Sequence, residues 1–122
     1  MDRNESFNIT TRQRGDVTVI DSEGRIDLYD GGAGSLRDTI VTLIGDRKNK
    51  ILINFAETSF VDSSGVGELV SGFTTLKALG GQLKLLNLTK RVKDLLQTTK
   101  LYTVFEVFDN EDDAVRSFDD MS

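Results

Sequence analysis

The 122-residue sequence contains no cysteine, histidine, proline or tryptophan. The lack of cysteine excludes a disulfide framework and thiolate chemistry, and it suits a reducing compartment. The lack of histidine removes the commonest general base, the commonest zinc ligand and every Ser-His or Cys-His catalytic pair. Most familiar catalytic plans are therefore excluded, and we expect a protein that is no enzyme and that carries no cofactor or metal.

Positive charge and long apolar runs are also scarce. Lys and Arg total 15 against 20 Asp and Glu, which gives a net charge of -5. Nucleic acids and anionic membranes bind clustered positive charge, so neither is an expected partner. No apolar run approaches the ~18 residues that span a bilayer, and the polar N-terminus is unlike a secretory signal. We expect a cytoplasmic protein.

The residues that are present are those of an ordinary globular domain. Apolar residues make up 38% of the chain and charged residues 29%, both close to globular norms. The length falls within the range of about 100 to 200 residues that is typical of one domain. Since no linker, repeat or low-complexity segment interrupts it, we assign residues 1–122 to a single domain.

Hydrophobic periodicity predicts an N-terminal hairpin followed by alternating helices and strands. Gly15-Asp16 forms the turn of the hairpin, and Ser22-Glu23-Gly24 ends its second strand. The predicted strands lie at 7–10, 17–20, 51–55, 83–88 and 104–108, and helical stripes lie at 33–44, 66–79, 92–96 and 114–118. The pattern predicts an α/β fold with a mixed sheet of about five strands, about four helices and right-handed crossovers.

Two glycine-containing segments are candidates for chemistry, and neither fits a catalytic motif. Gly31 to Ser35 could cradle a phosphate at a helix start, but Leu36-Arg37 follows where a P-loop needs Gly-Lys-Ser/Thr. We interpret it as a flexible start to a helix. Ser63 to Gly67 is no nucleophile elbow, because neither serine has a glycine two residues before it.

The segment from Glu57 to Gly67 is predicted to be a loop at the carboxyl end of a buried strand, where function gathers in such sheets. Within it, Asp62, Ser63 and Ser64 can each cap a helix. Two interpretations remain open. Spacing alone favours redundant capping, and the alternative is a serine displayed at a helix N-terminus, where a phosphate would meet a favourable dipole.

The octapeptide Phe60-Val61-Asp62-Ser63-Ser64-Gly65-Val66-Gly67 resembles the signature of STAS domains, in particular of bacterial anti-sigma factor antagonists. The resemblance covers nearly the whole chain. Gly24-Arg25-Ile26-Asp27 resembles the family's Gly-x-Leu-Asp before its first helix. Leu85-Leu86-Asn87-Leu88, Val92, Leu95, Leu101-Tyr102 and Phe105 resemble its C-terminal half. The loop from Asp27 to Leu36 departs from the family, since it is slightly longer and richer in glycine.

The resemblance implies a STAS fold and a binding protein. An unphosphorylated antagonist of this family binds an anti-sigma factor that is also a serine kinase, which frees the sigma factor. The kinase uses ATP to phosphorylate the serine before the motif glycine, here Ser64, and a PP2C-type phosphatase reverses the change. Asp27 and Asp62 match family acidic positions near that serine, and with Ser63 and Gly65 they complete the implied site.

Two other classes of function remain as alternatives. The domain could be a scaffold or sensor subunit of a larger signalling assembly, in which it binds its own kind. It could also be a module that senses a small ligand or nucleotide, although the lack of a basic phosphate-binding cluster counts against this. The antagonist hypothesis predicts a monomer or a weak dimer in solution.

Helix geometry gives a separate reason to prefer Ser64 over Ser63. At about 100° per residue, and with Val66 at zero, Ser64 falls roughly 160° away, opposite the apolar stripe. Ser63 falls at roughly 60°, at the edge of the buried face. We therefore expect Ser63 to cap the helix and Ser64 to be the exposed serine.

Overall fold

The computed structural model describes residues 7–28 and 31–119. The strands are β1 (Asn8–Arg14), β2 (Val17–Ile26), β3 (Lys50–Val61), β4 (Gln82–Leu86) and β5 (Val107–Phe108), and the helices are α1 (Gly32–Gly45), α2 (Ser63–Ala78), α3 (Lys90–Thr98) and α4 (Glu111–Ser117). The sheet order is β1-β2-β3-β4-β5. The β1–β2 pair is antiparallel and the other pairs are parallel. The predicted mixed sheet with four helices is confirmed.

Each face of the sheet has its own apolar core, because successive side chains of a strand point to opposite faces. On one face, α1, α2 and α3 cover Ile20, Ile53 and Phe55. On the other face, Ala114 and Phe118 of α4 pack on Val17, Val19, Leu52 and Leu86. The centre of β3 is therefore buried on both faces, as the short apolar run at 51–55 predicts.

The structure corrects the predicted ends of two strands. β3 continues to Val61 and only Asp62 separates it from α2, so the predicted loop from Glu57 to Gly67 is wrong. β2 likewise continues past Gly24 to Ile26, with irregular register against β3. Both strands can continue through polar residues because Ser22 and Thr58 are buried together, with Ser22 Oγ 2.7 Å from Thr58 Oγ1. Each hydroxyl thus has a hydrogen-bond partner inside the sheet.

The C-terminal half contains two side-chain helix caps, and its last strand is shorter than predicted. The hydroxyl of Thr89 accepts a hydrogen bond from the Val92 N–H at the start of α3. The side chain of Asn110 does the same for α4. β5 has only two residues, since 104–106 lies outside it, so the predicted strand over 104–108 is mostly wrong. β4 ends at Leu86, because Asn87 has a left-handed φ of 58°.

Candidate functional site

The carboxyl ends of β2 and β3 bring the predicted site residues together. These strands are parallel neighbours, with Ile26 paired to Val61, so the residues that follow them emerge at the same edge of the sheet. The Asp62 N–H donates to the Ile26 carbonyl at 3.2 Å. Asp27 and Asp62, which are far apart in the sequence, therefore lie on adjacent chain segments.

Asp62 is the N-cap of α2. Its Oδ1 accepts a hydrogen bond from the Gly65 N–H at 3.0 Å. Its Oδ2 accepts one from the Leu28 N–H at 3.2 Å. One carboxylate thus satisfies a free backbone donor of α2 and ties the helix to the segment that leaves β2. The predicted cap at Ser63 is wrong, because the cap lies one residue earlier.

Asp27 is buried, with 3% of its surface exposed. Arg25 Nε donates to its Oδ2 at 3.1 Å, and its own carbonyl accepts from the Ala33 N–H at 3.1 Å. The Arg25 guanidinium also lies over the Phe60 ring, 4.2 Å from the ring centroid. Asp27 therefore anchors the start of α1 and supports the site from beneath its surface.

Two glycines allow both helix starts to approach the end of β2. A Cβ at Gly65 would lie 2.8 Å from Ile26 Cγ2 and 2.8 Å from Val61 Cγ1. A Cβ at Gly32 would lie 2.3 Å from the Arg25 carbonyl oxygen. Real Cβ contacts are not this short, so both positions require glycine. The interpretation of Gly32 as part of a merely flexible start is corrected, since close packing fixes it.

Ser63 and Ser64 are the first two residues of α2, and their exposure is the reverse of the prediction. Ser63 is exposed and Ser64 is half-buried. Ser64, Glu68 and Gly72 are spaced four residues apart and so lie on the same side of α2. That side faces α1, because a Cβ at Gly72 would lie 3.1 Å from Ile40. The prediction considered only the stripe facing the sheet and missed the side that packs on α1.

Neither serine hydroxyl is used in the hydrogen bonding of the described residues, 7–28 and 31–119. Leu28, whose N–H donates to Asp62, has a large apolar side chain that is 65% exposed. Sequence reasoning missed Leu28, although an apolar residue directly after the predicted site residue Asp27 was a usable signal. The same edge of the sheet therefore carries two serines and an exposed apolar side chain.

Other kinds of site are not found in the part of the chain that the structure describes. No three acidic residues there are placed to hold a metal ion. None of the helices over those residues has the length and apolar character to cross a bilayer.

Comparison with known proteins gives the family. A sequence model of the STAS domain matches residues 8–114. The anti-sigma-B factor antagonist of Bacillus subtilis is 30% identical over 102 residues, which cover 84% of this chain and 91% of that protein.

Solved structures agree with that match. An anti-sigma factor antagonist from Mycobacterium paratuberculosis has a TM-score of 0.84 at 20% identity, over 95% of this chain and 97% of its own. The anti-sigma factor antagonist SpoIIAA in its unphosphorylated form has a TM-score of 0.80 at 26% identity, over 94% and 99%. SpoIIAA of Bacillus is also solved in the phosphorylated form, with a TM-score of 0.72 over 90% and 98%. The chain belongs to the STAS domain family and, within it, is grouped with the bacterial anti-sigma factor antagonists.

Proposed function

We propose that this protein is an anti-sigma factor antagonist that acts as a phosphorylation-controlled interaction switch. In its unphosphorylated form it binds an anti-sigma factor that is also a serine kinase. Phosphorylation of Ser64 releases that partner, and a PP2C-type phosphatase restores binding. The observation that carries the proposal is the serine pair at the start of α2, whose hydroxyls have no partner among the described residues, in a chain related to a protein solved in both phosphorylation states.

The choice of Ser64 rests on its place in the motif. It directly precedes Gly65, which is the position that the family resemblance assigns to the phosphorylated serine. Exposure favours the neighbouring Ser63, because Ser64 is half-buried. The two criteria make opposite predictions for the same kinase reaction, so a single mapping experiment separates them.

Charge supplies the reason for release. A phosphate of about -1.5 to -2 charge on Ser64 would stand two residues from the Asp62 carboxylate. The surface around it includes the exposed Leu28 side chain, which must lose water when a partner binds. A hydrated dianion on that surface opposes this desolvation. Folding tolerates the same anion, because it lies at the positive end of the α2 dipole.

The test uses the anti-sigma factor kinases encoded in the source genome, each purified and titrated with this protein by calorimetry. We expect one of them to bind the wild type and the Ser64→Ala variant alike. Ser64→Asp should bind at least about tenfold more weakly, a loss of about 1.4 kcal/mol. All three proteins should unfold at similar urea concentrations.

Mass spectrometry after incubation with that kinase and ATP maps the modified residue. Ser63→Ala is the matched control and should still be phosphorylated, whereas Ser64→Ala should not. Phosphate mapped to Ser63, or a Ser64→Asp variant that binds as tightly as the wild type, contradicts the proposal. Treatment of the phosphorylated protein with a PP2C-type phosphatase should restore binding.

A further inference from the structure

β1 forms one edge of the sheet, and its outer side is open. β2 lies on one side of β1, and no strand within 7–28 and 31–119 lies on the other. Five of the seven residues of β1 are exposed. A cleft of about 380 Å³ lies beside the strand and is lined by Phe7, Asn8, Ile9, Ser35, Asp38 and Thr39. The outer edge of β1 is therefore accessible to another molecule.

The register of the hairpin shows which backbone groups of β1 are not used by β2. A two-residue turn joins Arg14 to Val17, and the residues that close such a turn form a hydrogen-bonded pair. Hydrogen-bonded and non-hydrogen-bonded pairs then alternate along the hairpin. The groups that point away from β2 are therefore the N–H and C=O groups of Ile9, Thr11 and Gln13. They bond no other backbone group of the described residues, which makes this edge a template for another strand.

β1 lacks the features that usually protect an edge strand from such pairing. Natural edges carry proline, a bulge or free charges. The sequence has no proline, and the β1–β2 pairs follow one another without a shift in register. The two charged side chains of β1 are neutralised, because Arg12 Nε lies 2.6 Å from Asp21 and an Arg14 nitrogen lies 2.8 Å from Asp112 of α4. β1 therefore presents no uncompensated charge to a second strand.

β1 can pair with β1 of a second copy without placing like charges opposite each other. A two-fold axis through Thr11 pairs this residue with its own copy, and it pairs Ile9 with Gln13. All the outward-pointing backbone groups are then bonded. The same axis places Arg12 opposite Thr10. An axis at Arg12 would oppose two arginines, which destabilises a sheet, and an axis at Thr10 would leave Gln13 beyond the end of the other strand.

This register also brings opposite charges together. Arg14 lies opposite Asn8 of the second copy, and the Asn8 amide donates to the Glu23 carboxylate at 3.3 Å. Glu23 is exposed and has no ion pair in the described ranges. The Arg14 and Glu23 backbones of the two copies are then two strand spacings apart, about 10 Å, a gap that the two side chains span. The dimer therefore gains an ion pair on each side of its axis.

The same register fills the cleft beside β1. Ile9 packs on the core beneath α1, so the side chains of Thr11 and Gln13 point to that face as well. Gln13 of the second copy, opposite Ile9, therefore enters the cleft between β1 and α1. The hydroxyls of Ser35 and Thr39 line its other wall. A carboxamide both donates and accepts hydrogen bonds, so it suits these groups.

We propose that β1 is a dimer interface, through which two copies of this chain join their five-stranded sheets into one continuous sheet. The two β1 strands are antiparallel, with Thr11 on the two-fold axis. Because the contact is confined to one edge of each copy, it is small and the dimer is weak. The edge at β5 has only two residues, so pairing stops at two copies. Ser64 is outside this surface, which makes the interface independent of the proposed switch.

Sedimentation of the full chain over a range of concentrations tests the edge. We expect the wild type to pass from monomer to dimer as its concentration rises into the millimolar range, and to form nothing larger. Thr11→Pro removes an N–H that β2 does not use, so this edge variant should still fold. Its dimer Kd should rise at least about tenfold, because the proline cannot donate to the second copy. Thr11→Val keeps the N–H and is the control, with an unchanged Kd.

A charge reversal tests the ion pairs without altering the backbone. Glu23→Lys should raise the dimer Kd about three- to tenfold, because it faces Arg14 of the second copy. Asp109→Lys is the matched control, since Asp109 is exposed, makes the same change in net charge and follows β5 at the opposite edge of the sheet. It should leave the Kd unchanged. This comparison holds even if Thr11→Pro fails to fold.

Cysteine cross-linking tests the register. The sequence has no cysteine, so one introduced thiol reports one contact. Thr11→Cys opposes two cysteines with Cα atoms about 5.5 Å apart, a span that a disulfide bridges. Gln13→Cys leaves them about 13 Å apart along the strands, so mild oxidation should link Thr11→Cys at least about tenfold faster. A chain that stays monomeric, equal Kd values for Glu23→Lys and Asp109→Lys, or equal cross-linking of the two cysteine variants would overturn the proposal.

Discussion

Helices α1 and α2 begin side by side at the same edge of the sheet, and they begin in different ways. Asp62 caps α2, and its carboxylate accepts from both the Gly65 and Leu28 N–H groups. α1 follows Gly31, which has a left-handed φ of 80° and forms no side-chain cap bond. The start of α2 is thus fixed by a side chain. The start of α1 has no side-chain cap and is held by the left-handed Gly31, the Asp27 carbonyl and the close packing of Gly32.

The two starts share one requirement, which is close approach to the end of β2. Gly32 packs on the Arg25 carbonyl, and Gly65 packs on Ile26. Glycine in either segment is therefore explained by packing and needs no bound phosphate. The start of α2 differs from that of α1 in having Asp62 and the two serines. The functional proposal therefore depends on those three residues.

Gly32→Ala should give the largest effect, because its Cβ would meet backbone atoms that cannot swing aside. We expect a loss of about 3 kcal/mol in the free energy of unfolding, measured by urea denaturation. Gly34→Ala is the control, since its nearest contact would be the flexible Arg37 side chain at 3.8 Å. A small change, or a gain of up to ~1 kcal/mol, is expected there. Equal losses in both variants would refute the packing argument.

Gly65→Ala should cost less, about 2 kcal/mol, because two of its close contacts are side-chain atoms of Ile26 and Val61 that can shift a little. The matched variant is Gly67→Ala on the same helix, where a Cβ would meet nothing within 4 Å. That variant should gain up to about 1 kcal/mol from helix propensity. Thermal unfolding of the pair measures the contrast, and a stabilised Gly65→Ala protein would show that the site is not close-packed.

Asp62→Ala removes the feature that distinguishes the two helix starts, and it should cost about 1 to 2 kcal/mol. Asp62→Asn keeps an oxygen acceptor at the cap and should retain most of that stability. Hydrogen exchange at the Leu28 amide should accelerate in the alanine variant, because that N–H loses its acceptor. If both variants unfold at the wild-type urea midpoint, the Asp62 cap does not fix the start of α2.

Periodicity and turn chemistry were enough to predict the fold. Each helix has an apolar stripe at spacings of three and four, and Gly15-Asp16 marks the hairpin turn where the structure has it. Strand ends were predicted poorly, because the buried Ser22–Thr58 hydroxyl pair looks like loop composition in the sequence. A polar residue inside a sheet is stable only with its partner, and its partner here is 36 residues away.

The residues of the candidate site were proposed from the sequence, but their arrangement was not predicted. Motif resemblance supplied Asp27, Asp62, Ser63, Ser64 and Gly65. It could not show that Asp62 holds Leu28, since that bond joins two segments that meet only in the folded sheet. Nor could one helical stripe show which serine is exposed. The packing of α1 on the second side of α2 decides that, and it is a tertiary effect.

The start of α4 is held by ion pairs, and their removal should change the free energy of unfolding least. Glu111 in its first turn accepts hydrogen bonds from Arg12 and Arg14 of β1. These bonds, chiefly those of Arg12, lower the pKa of Glu111 from 4.5 to about 2. The folded state therefore binds this proton less readily than the unfolded chain. Its contribution to stability is complete above about pH 4.5 and is lost as the pH falls toward 2.

Glu111→Gln should accordingly cost about 1 kcal/mol at pH 7, since Glu111 is partly exposed and solvent screens the pair. The cost should shrink as the pH falls from 5 to about 2.5, because protonation removes the same charge from the wild type. Urea midpoints of both proteins across that range measure the change. Glu57→Gln is the control: Glu57 is exposed and has no ion pair among the described residues, so its effect should stay near zero. A Glu111→Gln cost that is constant with pH would mean that packing, and not the ionic tie, holds α4 to β1.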